Sequence, residues 1–107
     1  MNKTYYPELD ETLYTQVLEN GLTVTVVPRK GFTKKLAYFV TDYGSVHTDF
    51  VLEGKVWKTP AGVAHFLEHK MFERDPDRFG GSDSFDDDFA ACGAESNADT
   101  SHDRTVY

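Results

Sequence analysis

Gly62-Val63-Ala64-His65-Phe66-Leu67-Glu68-His69-Lys70-Met71-Phe72 is the stretch on which the reading of this chain turns. Its apolar residues Val63, Phe66, Leu67 and Met71 recur at helical spacing. Thr59 suits an N-cap and Pro60 the first helical position, which predicts a helix from about Pro60 to Glu73. On that helix His65 and His69 stand one turn apart and leave the same face, and Glu68 joins them. Two neutral imidazoles can bind zinc, and a carboxylate beside them can take a proton from the metal's water. The order H-x-x-E-H reverses the commoner H-E-x-x-H zinc helix and is the inverzincin pattern. At ordinary residue usage it arises by chance on the order of once in ~1000 chains of this length. The competing reading is a half-buried helix with incidental polar residues.

Upstream, the pattern is that of strands. Residues 1–11 are polar and read as a loose arm. Leu13, Thr15 and Val17 alternate with Tyr14 and Gln16, Asn20-Gly21 signals a hairpin, and Leu22 to Val27 is the return strand. Lys35 to Thr41 has apolar residues on both faces and is expected to be a central strand covered by helices. Asp42-Tyr43-Gly44-Ser45 is a turn. Between Val46 and Lys58, Phe50-Val51-Leu52 and Val56-Trp57 fit short strands around Glu53-Gly54.

Downstream, Asp75-Pro76-Asp77 stops the helix because proline cannot continue it. Phe79-Gly80-Gly81-Ser82 reads as a flexible loop. Ser84 is expected to cap a second helix, Phe85 to Cys92, with Asp86, Asp87 and Asp88 favourable in its first turn and Gly93 as its C′ residue. Ser96 to Thr100 and Arg104 to Tyr107 read as strands. The order of elements predicts an α+β fold, a mainly antiparallel sheet with helices packed on one face.

The 107 residues suffice for one small domain, and 39% hydrophobic residues place the chain outside the disordered class. A net charge of −7 argues against nucleic acid or an anionic membrane surface as partner. A single cysteine forms no internal disulfide and fits a reducing, cytoplasmic setting. Met1-Asn2-Lys3-Thr4-Tyr5-Tyr6-Pro7 lacks the apolar core of a signal peptide, and no run approaches membrane-spanning length.

Gly62 to Phe72 resembles the zinc helix of the M16 metallopeptidases, the pitrilysin, insulinase and mitochondrial processing peptidase family. Asn20 to Val24, Thr41 to Ser45, Gly93, Ser96-Asn97-Ala98, Thr100 and Arg104 to Tyr107 resemble further parts of it, and His65 to Lys70 looks closest to its bacterial YmfH-like branch. The resemblance covers about Leu13 to Tyr107. It implies a zinc-dependent endopeptidase acting on extended or unfolded peptides, with His65 and His69 as metal ligands and Glu68 as general base. The third ligand, a glutamate on a later helix in the family, is expected beyond Tyr107. Asn97 and Ala98 fall where the family holds the substrate backbone, and Asp99 stands where an aromatic residue is expected. Family members close two related halves around the substrate, so a second half or subunit is the expected partner.

Thr105-Val106-Tyr107 reads as a strand in progress, so residues 1–107 are expected to be the truncated N-terminal part of a single M16-type domain, inactive alone and prone to self-association. The alternative is a non-catalytic peptide-binding or scaffold subunit. Glu73 cannot complete the metal site, because it lies ~12 Å along the helix axis from His65. Glu95, Cys92 and His102 could approach only through the tertiary fold. Cys92 reads as a small buried residue, and His47 and His102 as solvated loop histidines. The acidic run Asp75, Asp77, Asp83, Asp86, Asp87 and Asp88 fits a calcium loop poorly, since Phe79 stands where a ligand is needed.

Overall fold

The computed structural model describes residues 1–73 and 85–107. Among the described residues it is a small α+β structure of antiparallel sheets and two helices. The chain divides into two compact units, Met1–Leu36 and Ala37–Tyr107.

The first unit is a three-stranded antiparallel sheet in the order β1-β2-β3. Its strands are β1 (Asn2–Tyr6), β2 (Glu11–Val17) and β3 (Thr23–Val26). The expected loose arm is thus largely a strand, with Asn2 opposite Thr15 and Tyr6 opposite Glu11. Thr4, Tyr5 and Tyr6 favour extended backbone, and the turn after them is closed locally. Leu9 N–H donates to the Tyr6 carbonyl at 3.2 Å, and the Tyr5 hydroxyl donates to Asp10 Oδ1 at 2.8 Å.

The β2–β3 hairpin forms where Asn20-Gly21 predicts it, with a three-residue loop rather than a two-residue one. Leu18 N–H donates to the Leu22 carbonyl at 2.8 Å, and Gly21 takes φ 86° between them. That left-handed position favours glycine.

In the second unit β4 (Val40–Thr41), β8 (Thr105–Val106) and β7 (Asp99–Thr100) form an antiparallel sheet in the order β4-β8-β7. β8 is therefore central. The expectation of a central strand over Lys35 to Thr41 is corrected: only its end pairs, at one edge, and Leu36, Tyr38 and Phe39 are exposed. Phe39 and Tyr107 extend the pairing by exchanging backbone hydrogen bonds of 2.9 and 2.8 Å.

β5 (Asp49–Leu52) and β6 (Lys55–Lys58) form a separate hairpin. Its two-residue turn is Glu53-Gly54, both with positive φ, 53° and 74°. Two left-handed residues match the twist of a tight hairpin, which is why the short loop works.

α1 (Val63–Phe72) starts later than expected. Gly62 has φ 94°, outside helical space, so the helix cannot extend back to Pro60. Thr59 caps nothing; its hydroxyl donates to the Thr48 carbonyl at 3.1 Å. The buried stripe also differs from the apolar pattern. Ala64 and Glu68, one turn apart, are the buried residues, while Phe66, Leu67 and Met71 are exposed. Small Ala64 permits the close approach of α1 to β7 and β8, with which the helix packs.

α2 (Asp86–Ala91) ends in a Schellman arrangement. Ala94 N–H donates to the Phe89 carbonyl and Gly93 N–H to that of Ala90, both at 2.9 Å, with Gly93 at φ 67°. The expected Ser84 cap, the Asp75-Pro76 stop, the Phe79 to Ser82 loop and most of the calcium-loop pattern lie outside the described residues.

Candidate metal centre

The spacing of α1 brings His65 and His69 together at their Nε2 atoms, 3.1 Å apart, with ring centroids 4.8 Å apart. Two nitrogens bound tetrahedrally at ~2.05 Å from one zinc ion would stand about 3.3 Å apart, close to that separation. The ligand atoms of His65, Glu68 and His69 all lie within 4.8 Å of one another. Both imidazoles are exposed and Glu68 is buried. The donor set and the bite fit a zinc ion, with the carboxylate near enough to reach a water on it.

Glu68 is anchored from outside the helix. The Thr100 hydroxyl, on β7, donates to Glu68 Oε2. Thr100 stands opposite Thr105 of β8. Thr105 is 2% exposed, and its hydroxyl donates to the Tyr43 carbonyl at 2.8 Å. Helix, edge strand and central strand thus meet at the carboxylate. Nothing local in the sequence marks Thr100 for this part, because it lies 32 positions from Glu68 and the contact is tertiary.

A shallow cavity of about 270 Å³ opens beside the motif, lined by Glu68, His69, Phe72, Asp86, Ser96, Asn97 and Ala98. Asn97 and Ala98 therefore line the same space as the motif. They precede β7 rather than belonging to it, and Asn97 Oδ1 accepts the Ala98 N–H at 2.9 Å. Ser96 donates its hydroxyl to Asp86 Oδ1 at 3.0 Å. β7 pairs with β8 on one side, and no other described strand pairs with it.

Tyr107 packs its ring 6.4 Å from Phe39 and 6.2 Å from Phe72. Burial, and then the charge of Glu68, push its phenol above the usual value.

The remaining candidates lie elsewhere. Glu73 pairs with Lys70 at 2.6 Å. His102 Nδ1 lies 3.3 Å from the Ser45 hydroxyl, and Glu95 is exposed. Two expectations are corrected. Cys92 is exposed, since α2 has no buried residue. His47 is not a free loop histidine: its Nδ1 accepts the Gly44 N–H at 2.9 Å, and its ring stacks on Tyr43 at 6.0 Å.

Residues 55–107 match the family model described as insulinase, peptidase family M16. The chain is 49% identical over 105 residues to the uncharacterized zinc protease YmfH of Bacillus subtilis (strain 168), covering 95% of this chain and 23% of that protein. The crystal structure of an M16-like peptidase from Alicyclobacillus acidocaldarius superposes with a TM-score of 0.79 at 42% identity. That match covers 97% of this chain and 22% of the other. The chain belongs to the M16 peptidase family, and it spans less than a quarter of the length of these relatives.

Proposed function

We propose that this segment carries the metal-binding and proton-transferring part of a zinc-dependent endopeptidase that cleaves extended or unfolded peptides. The observation that carries the reading is the convergence of His65, Glu68 and His69 from one helical turn. His65 and His69 would hold the ion. Zinc bound there would lower the pKa of its water to about 7 and polarise a carbonyl. Glu68 would take the proton at its carboxylate and return it to the leaving amine. The edge of β7 and the adjacent Asn97 and Ala98 would align the peptide by strand addition, in which backbone hydrogen bonds give affinity without requiring one sequence.

The third ligand belongs to chain beyond Tyr107, as in the family, and a second M16-type half or subunit would close over the substrate. Residues 1–107 alone are then inactive and self-associate through exposed apolar side chains such as Phe66 and Met71. A reducing, cytoplasmic setting completes the proposal. Among the described residues no helix is long and apolar enough to cross a membrane.

The test is peptide hydrolysis by the zinc-loaded full-length protein, wild type against Glu68→Gln. Loss of turnover with zinc still bound supports the reading. Unchanged turnover overturns the role of Glu68, and no turnover in the zinc-loaded wild type overturns the peptidase reading in favour of a non-catalytic peptide-binding role.

A further inference from the structure

We propose that Thr100 is a positioning residue that fixes Glu68 for proton transfer; its catalytic consequence rests on the peptidase reading above. A glutamate on a helix has three side-chain torsions and, left free, would spend most of its time away from one working geometry. Here a hydroxyl from another element determines the geometry. Thr100 donates to Oε2, and among the described residues no hydrogen bond is made to Oε1. One carboxylate oxygen is held, and the carboxylate lies within 4.8 Å of the ligand atoms of both histidines.

The anchor is itself held. Thr100 is β-branched, so its χ1 is stiff, and it sits in register opposite Thr105. Thr105 Oγ1 lies 3.4 Å from Thr100 Oγ1, but its proton goes to the Tyr43 carbonyl. Thr105 therefore does not compete for Glu68. It ties β8 to the Tyr43 turn and so holds the strand that carries the anchor. The outcome is a carboxylate whose position follows the sheet as well as the helix.

Thr100→Val keeps the shape and removes the donor, whereas Thr100→Ser keeps the donor. In the zinc-loaded full-length protein Thr100→Val lowers kcat by about 10–100-fold with KM and zinc content unchanged, and Thr100→Ser restores most of it. The second readout needs no metal. In metal-free protein, the melting temperatures of Thr100→Val, Glu68→Ala and the double variant show coupling, because the pair is already bonded. Additive melting shifts, or a Ser variant as impaired as Val, would overturn the proposal. Full activity in Glu68→Gln would instead remove the proton-transfer role of Glu68, and with it the catalytic part of this proposal, while the metal-free coupling would persist.

Discussion

Gly44 meets the Arg104 backbone so closely that a Cβ on Gly44 would lie 2.5 Å from the Arg104 nitrogen and 2.5 Å from the His102 carbonyl oxygen. Those atoms are backbone, and they belong to the turn that joins β7 to β8. The turn is also held by hydrogen bonds of 3.0 Å from Ser45 N–H to the Ser101 carbonyl and from Val46 N–H to that of His102. Gly44→Ala must push the turn away and disturb both strands beneath α1. Equilibrium unfolding in denaturant should show a loss of about 1–3 kcal/mol or more. An unchanged midpoint would show that the contact is not tight.

The Glu53-Gly54 turn offers the opposite sign. Glu53 holds φ 53° without the tolerance of asparagine for that region. Glu53→Asn should raise stability by a few tenths to about 1 kcal/mol, and Gly54→Ala should lower it by about 1–2 kcal/mol. Thermal melting of the two variants checks both signs.

The position of Tyr107 can be read by pH. Its phenol is raised by burial first and by the charge of Glu68 second. A folded-state value above the unfolded one gives stability that is complete below about pH 10 and is lost as pH rises through the raised value. Absorbance titration of wild type against Tyr107→Phe should show one tyrosine ionising late, and Glu68→Gln should bring it part of the way back. No response to Glu68→Gln would separate the two groups.

Much of this was readable along the chain, and the limit has a physical cause. The H-x-x-E-H spacing and the β5–β6 hairpin are local patterns, fixed by helical periodicity and by turn geometry. Gly93 as a C′ residue is of the same kind. Thr59-Pro60 is a good capping signal, but left-handed Gly62 overrides it and α1 starts later. The apolar spacing of α1 does not mark its buried residues, which are Ala64 and Glu68. Two apolar faces make Lys35 to Thr41 read as central, but strand order is a long-range property and β8 takes that place. Thr100 had no local signal, because its part in the site exists only once β7 lies against α1.

Removing the proton-accepting group should separate binding from chemistry. Glu68→Gln in the full-length protein should reduce kcat by about 10²–10⁴-fold, with zinc content retained, as expected when one general base is lost. Metal analysis of the same preparation as the kinetic assay checks both parts.

The most direct measurement is a calorimetric zinc titration of this chain, wild type against His69→Ala. With the Nε2 atoms of His65 and His69 3.1 Å apart, wild type should bind one zinc per chain and His69→Ala should bind it at least about tenfold more weakly. Identical isotherms for the two would mean that these imidazoles do not share an ion, and the account of the site would fail.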